Sequence, residues 1–161
     1  MRALILVVIA FAAAANADEL SVNLDSSTLT GLPGDTLMFT GTLTNNTSDT
    51  LFINSDSFTF DIAGALDDSP FLLNAPISLD GGVTSSDFEM FDIDIPPGQG
   101  TGAYMGSFTV LGGVDGNAQD NLGTASFEVD VVPEPASYLL FGSALAMLAG
   151  WRVLRARLAK Q

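Results

Sequence analysis

Carboxylates are the side chains of this sequence with the clearest potential for chemistry, because the chain contains no histidine and no cysteine. Ser-His triads, thiol catalysis and the usual zinc ligands are therefore excluded. The catalytic chemistry that remains is that of paired carboxylates, as in glycoside hydrolysis. The candidate pairs are Asp67 with Asp68 and Asp92 with Asp94. Asp92 and Asp94 share the solvent face of a predicted strand, which favours a solvated surface, and we expect no enzymatic activity.

Calcium binding is the metal chemistry that the sequence supports best. The stretch "DGNAQDN" offers Asp115, Asn117, Asp120 and Asn121, all hard oxygen donors in a glycine-containing loop. It lacks the frame and the closing glutamate of an EF-hand, and an ordinary polar loop is the favoured interpretation. We therefore expect no cofactor, with a structural calcium ion at Asp115, Asn117 and Asp120 as the alternative.

The charges are separated along the chain. All nineteen acidic residues lie between Asp18 and Glu134, and the five basic residues lie at the two ends. The central part therefore carries a formal charge of −19 and repels phosphate backbones, so we expect no nucleic-acid partner. The central part also has no tryptophan and only Tyr104 among tyrosines, which disfavours a carbohydrate site built on aromatic platforms.

The N-terminal sequence "MRALILVVIAFAAAANADEL" is typical of a secretory signal peptide. Arg2 provides the positive charge, residues 3–11 are apolar, and Ala15 and Ala17 form the small-x-small pattern that signal peptidase cleaves after. The apolar stretch is short for a membrane anchor. Residues 1–17 are therefore predicted to be removed before Asp18.

The C-terminal sequence is predicted to be a membrane helix with a basic end. Residues 136–154 are mostly apolar and reach the length that a span requires, although many of them are small. Residues 155–161 then form a basic tail. By the positive-inside rule, the residues that would hold this end in the cytoplasm are Arg152, Arg155, Arg157 and Lys160.

Between the body and the predicted span lie Pro133, Glu134 and Pro135. Neither proline can donate a backbone hydrogen bond, so a sheet ladder cannot continue through them. Each proline also favours an extended conformation of the residue before it. The tripeptide is therefore predicted to be extended and accessible, which suits either a stiff linker or a segment that a protease binds.

The "VPEP" start, the short apolar helix and the arginine-rich end resemble the PEP-CTERM sorting signal of exopolysaccharide-producing Gram-negative bacteria. The resemblance covers residues 132–161 and includes the expected signal peptide. It implies that Pro133, Glu134 and Pro135 are the recognition motif of an exosortase, an integral-membrane cysteine transpeptidase. It also implies that the tail is removed on the way to the cell surface, after transient anchoring in the inner membrane.

The body, residues 18–132, is predicted to be one all-β domain. Apolar and polar residues alternate in "DTLMFTGTLTNN", "FEMFDIDI", "AYMGSFTV" and "ASFEVDVV", and turn-rich separators stand between them. Seven or eight short strands in about 115 residues favour an antiparallel β-sandwich with an immunoglobulin-like (Ig-like) fold, with a small barrel as the alternative. "GTLTNNTSDTLFIN" resembles the strand–turn–strand of Ig-like domains in bacterial surface proteins, and its sequons at Asn45 and Asn46 are interpreted as a turn.

These observations predict an exported, non-catalytic surface or extracellular-matrix protein. Its expected partners are an exosortase, the inner membrane, and exopolysaccharide or other surface proteins of a biofilm. The alternative is a carbohydrate- or calcium-binding module with a specific ligand.

Overall fold

The computed structural model describes residues 18–134 and 137–158 of the chain. Within the C-terminal helix, side chains are described for residues 140–148 and 151–152. The predicted signal peptide 1–17, with Ala15 and Ala17, lies outside the described residues, as do Pro135, Ala136 and residues 159–161 with Lys160.

The described chain is mostly β-structure. The strands are β1 (Leu20–Leu24), β2 (Thr28–Gly31), β3 (Thr36–Asn45), β4 (Leu51–Phe60), β5 (Leu66–Asp67), β6 (Ser78–Leu79), β7 (Phe88–Asp94), β8 (Gly102–Gly113) and β9 (Asp120–Val131). A short helix α1 (Ser69–Asn74) lies between β5 and β6, and helix α2 (Ser137–Leu158) follows the last strand.

The strands form two sheets, which confirms the prediction of an all-β sandwich for the body. One sheet has the order β1-β3-β7-β5 and the other has the order β2-β9-β8-β4-β6. Neighbouring strands are antiparallel except for β2 and β9, which run parallel with Thr28 beside Glu128 and Gly31 beside Val131. This parallel pair could not be foreseen from the sequence, because strand direction depends on partners that are distant in the chain.

Phenylalanine side chains join the two sheets. Phe39 and Phe91 come from one sheet, and Phe108 and Phe127 come from the other. The ring centroid of Phe91 lies 4.8 Å from each of the ring centroids of Phe39, Phe108 and Phe127. All four side chains are fully buried, so these rings supply much of the core in a chain without disulfides. The alternation predicted for β3, β8 and β9 is confirmed, and that of β7 is confirmed from Phe91 onward.

A β-bulge alters the alternation in β7. Phe39 lies opposite Phe91, whereas the next residue, Thr40, lies opposite Glu89, so Met90 is the extra residue of the pair. Met90 and Phe91 are consequently both buried. The bulge also brings Glu89 to the same face of the sheet as Asp92, which strict alternation would not do.

Helix α1 was not predicted from the sequence. Asp68 is its N-cap residue and Pro70 stands in its first turn, where the missing N–H costs nothing. Phe71 is the buried residue of this helix, and its ring packs edge-on against Phe108 at 5.2 Å. One buried aromatic side chain therefore anchors a helix that is too short to show a periodic pattern.

The "NNTS" stretch forms the turn between β3 and β4. The Asn45 side chain is fully buried, and its Nδ2 donates to the carbonyls of Asp49 and Leu79 at 2.8 and 2.9 Å. Its Oδ1 accepts from the backbone N–H and the hydroxyl of Thr47. With all of these contacts made inside the fold, Asn45 is a structural turn residue.

Candidate sorting segment and acidic surface

The segment that precedes helix α2 leaves the body at the end of β9. Val129 and Val131 are buried in the core, and the Val132 N–H donates to the Gly31 carbonyl at 3.0 Å. Pro133 and Glu134 follow immediately and are both exposed. The two described residues of the candidate motif thus lie at the surface, and Val132 alone separates them from the last strand.

Glu134 lies beside the loop that joins β2 to β3. Together with Leu32, Pro33 and Asp35 it lines an open cleft of about 390 Å³. The loop is pinned, because the Asp35 carboxylate accepts the Leu32 N–H at 2.8 Å and the Gly34 N–H donates to Ile95 at 2.9 Å. The exposed Glu134 therefore lies beside an ordered loop.

Helix α2 covers most of the predicted membrane segment. Its described side chains at residues 140–148 and 151–152 are exposed, including Arg152. Arg155 and Arg157 lie within the helix. Among residues 18–134 and 137–158, no helix has the length and apolar character needed to cross a membrane.

The predicted calcium donors lie in and beside the turn between β8 and β9. The Asp115 Oδ1 accepts the Asn117 N–H at 2.8 Å, and Asp120 is the first residue of β9. The Asn54 side chain donates to the carbonyls of Asp115 and Ala118, both at 2.9 Å. Internal hydrogen bonds therefore order this turn, and Asn54 is the residue that the sequence analysis missed.

Asp67 and Asp68, the first candidate pair of carboxylates, lie in different elements. Asp67 belongs to β5, and its Oδ1 accepts the Ser69 N–H at 2.9 Å. Hydrogen bonds from the Ser69 side chain and backbone lower the pKa of Asp67. Asp68 is the N-cap residue of α1 and makes no side-chain capping bond.

Asp92 and Asp94 lie on the outer face of their sheet, as predicted. Asp92 stands opposite Met38, which is 58% exposed, and Asp94 Oδ1 accepts the Thr36 hydroxyl at 2.6 Å. Partial burial, followed by the neighbouring charge of Glu89, raises the pKa of Asp92 to about 6. The smaller contributions come from the charges of Asp67 and Asp94.

Asp56 is a carboxylate that the sequence analysis did not single out. It lies on β4 opposite Val110, which is fully buried, so its side chain points towards the space between the sheets. Its Oδ2 is buried without a hydrogen-bond partner. Burial, with a smaller contribution from the charge of Asp68, raises the pKa of Asp56 to about 6.

The two carboxyl groups with raised pKa values do not form a pair. Asp56 points inward from the sheet that contains β4, whereas Asp92 points outward from the other sheet. Within the described part of the chain, no group of three or more histidine, cysteine, aspartate or glutamate residues could hold a metal ion. Calcium binding at Asp115, Asn117 and Asp120 stays a prediction.

Comparison with solved structures gives likenesses that cover about 70% of the chain. No family model and no curated protein matches the chain. The chain is similar to E. coli alpha-2-macroglobulin (20% identity, TM-score 0.48, 73% of this chain and 7% of that one). It is also similar to WR4, an MSP family member of C. elegans, with 13% identity and a TM-score of 0.41 over 69% of this chain and 97% of that one. A third likeness is to a family 123 glycoside hydrolase from Clostridium perfringens, with 14% identity and a TM-score of 0.44 over 71% of this chain and 27% of that one.

The chain spans only a small part of the macroglobulin and of the hydrolase. At TM-scores below 0.5 and identities of 20% or less, these likenesses carry no argument about function.

Proposed function

We propose that this protein is an exported, non-catalytic component of the cell surface or extracellular matrix, delivered by an exosortase that reads Pro133, Glu134 and Pro135. The observation that carries the proposal is the position of Pro133 and Glu134. Both are exposed, and they separate a folded acidic body from helix α2 and its arginines. A membrane-bound enzyme needs its recognition motif at such a place, outside the sheet and close to the helix.

The delivery route combines three predictions from the sequence. Residues 1–17 direct export, and the basic tail stays in the cytoplasm. Residues 136–154 contain many small side chains and are less apolar than a standard span, so we propose that they hold the precursor in the inner membrane only transiently. Removal of the tail would release the body to the cell surface or the matrix. The released body would contain no lysine or arginine, because the basic residues lie in the two removed segments.

We further propose that the sandwich is Ig-like. Two observations support this. The strand orders β1-β3-β7-β5 and β2-β9-β8-β4-β6 correspond to the two sheets of that fold. In this assignment β1 and β2 are the two halves of the first strand, and β2 pairs in parallel with the last strand, β9. Tyr104, near the start of β8, donates its hydroxyl to the Gly100 carbonyl at 2.8 Å. A tyrosine bond of this kind, back to the chain a few residues upstream, is a feature of Ig-like domains.

A non-catalytic role agrees with the arrangement of the carboxylates. Glycoside hydrolysis needs two carboxyl groups that flank one bond, and Asp56 and Asp92 point away from a common site. The body, residues 18–132, has eighteen acidic and no basic residues, and its formal charge of −18 would instead hold cations and repel other acidic surfaces. We propose that the body lies in the biofilm matrix, in contact with exopolysaccharide or with other surface proteins.

The experiment compares the mature C-terminus in cells that contain the exosortase with that in cells that lack it. Mass spectrometry of the wild type should show a terminus upstream of residue 137 only when the enzyme is present. Glu134→Ala should abolish this processing, whereas Glu19→Ala, an exposed glutamate at the other end of the body, should be processed normally. A wild-type protein that still ends at Gln161 in the presence of the enzyme would refute the proposal.

A further inference from the structure

Strand β9 connects the folded core to the candidate motif without any linker. It is twelve residues long and lies between β8 and β2 in its sheet. On one side, Gly102 to Val110 pair with Val131 back to Gly123. On the other side, Thr28 to Gly31 pair with Glu128 to Val131. The last four residues of β9 are therefore hydrogen-bonded along both edges.

Strand β2 closes the edge of β9 that would otherwise be open. The Glu128 N–H donates to the Ser27 carbonyl at 2.8 Å, and the Val132 N–H donates to the Gly31 carbonyl at 3.0 Å. Between these two bonds, the alternation of a parallel ladder directs the N–H of Leu29 towards β9 and the N–H of Thr30 away from it. Leu29 also packs against the core.

Proteolytic enzymes bind their substrates as extended chains, often by adding a strand to them. That mode requires a free backbone edge, which the end of β9 lacks. It would also pull Val129 and Val131 out of the core, where they are 0% and 1% exposed. A sorting enzyme can therefore use only the chain from Val132 onward while the body stays folded.

We propose that β2 acts as a clamp that confines cleavage to peptide bonds on the C-terminal side of Val132, so that the mature protein keeps all of β9. The biological meaning of the clamp rests on the proposed function. In the processing step, the C–N bond of one such peptide breaks and its carbonyl carbon bonds to the cysteine sulfur of the enzyme. The acyl group then passes to water or to a primary amine, and the nitrogen of the released tail takes up a proton.

The absence of lysine and arginine between Arg2 and Arg152 makes trypsin a clean probe of this clamp. Trypsin cleaves after lysine and arginine, so it can remove only the ends of the wild-type chain. A single arginine introduced into the full-length chain then reports the accessibility of one position. Asp130→Arg places the probe inside the clamped end of β9, and Pro133→Arg places it just outside, with rates normalised to those in denaturant.

Pro133→Arg should be cut rapidly in the folded protein, and Asp130→Arg should be cut at least about 100-fold more slowly, because cleavage requires local opening of the sheet. Adding Leu29→Pro, which removes an N–H directed at β9, should remove most of this protection. Adding Thr30→Pro, whose N–H faces away, should leave the protection in place. Adding Leu29→Ala is the second control, because it removes the core contact of Leu29 and keeps the N–H. Circular dichroism identifies any variant that fails to fold, and the comparison of the two single arginine variants stands without the proline variants.

Equal cleavage of the two arginine variants in the folded state would overturn the clamp, as would a mature C-terminus within residues 120–131. Conversely, protection of Asp130→Arg together with an unprocessed Gln161 terminus in cells would support the clamp and refute the sorting function. The two proposals can therefore fail separately.

Discussion

Asp56 offers the sharpest test of how this structure handles charge, through the substitution Asp56→Asn. The folded protein holds the pKa of this carboxyl at about 6, against 3.8 in the reference state. Since the pKa is raised, the ionised form is disfavoured in the folded state, and the cost is fully present above pH 6. As the pH falls, the folded protein binds the proton before the unfolded chain does, and stability is regained.

The magnitude follows from the size of the pKa change. About two units at 1.36 kcal/mol each give a ceiling of about 3 kcal/mol. Asp56 is only about half buried, so solvent screening reduces the expected cost at pH 7.5 to about 1–1.5 kcal/mol. Roughly two thirds of this cost disappears by pH 4.5, where the carboxyl is protonated in the folded state and mostly ionised in the unfolded state.

Urea denaturation followed by far-ultraviolet circular dichroism measures the effect at pH 7.5 and pH 4.5. Asp56→Asn should gain free energy of unfolding relative to the wild type at pH 7.5, and the gain should shrink by about 1 kcal/mol at pH 4.5. Only this change with pH is diagnostic, because an asparagine that lacks a partner adds a constant cost at both values. Asp87→Asn, at an exposed loop position, is the control. A difference that is the same at both pH values would refute the reasoning.

Three further predictions concern the core, the β3–β4 turn and the candidate calcium loop. Phe91→Ala should lower the free energy of unfolding by about 3–5 kcal/mol, because three rings lose their contact with Phe91. Phe58→Ala, at a 42% exposed position, is the control and should cost much less. Urea denaturation measures both variants. Asn45→Asp should lower the free energy of unfolding by about 2–4 kcal/mol, because a carboxylate would face two carbonyls that now accept hydrogen bonds. Asn46→Asp, at the exposed neighbour, is the control and should cost less in the same urea denaturation experiment. If calcium binds the β8–β9 turn, about 5–10 mM Ca²⁺ should raise the Tm of the wild type and not that of Asp115→Asn; an unchanged wild-type Tm contradicts the calcium hypothesis.

The strands with strict alternation could be predicted from the sequence. Phe39, Phe108, Phe127 and Val129 are buried where the period of two placed them, because a strand with one face in the core must repeat that period. Glu89 and Met90 could not be assigned in this way. Their faces depend on a bulge, which is a property of the pairing between β3 and β7 and leaves little mark on one strand alone.

Among the candidate site residues, too, some positions follow from the sequence and others depend on strand pairing. The exposure of Pro133 and Glu134 follows from the chemistry of proline, which ends a sheet ladder wherever it stands. The inward direction of Asp56 does not follow from its neighbours in sequence, since "INSDSF" has no apolar alternation that would mark it. It follows from the register with β8, which places Asp56 opposite Val110.

The sequence by itself determined the separation of charge, the all-β character of the body and the position at which the sheet must end. These properties depend on residue type and on local periodicity, which the chain carries wherever it folds. Only the tertiary structure decided that β2 runs parallel to β9 and closes its edge, directly before the candidate motif. That pairing joins residues about one hundred positions apart, and its geometry depends on how the two sheets pack around the phenylalanine core.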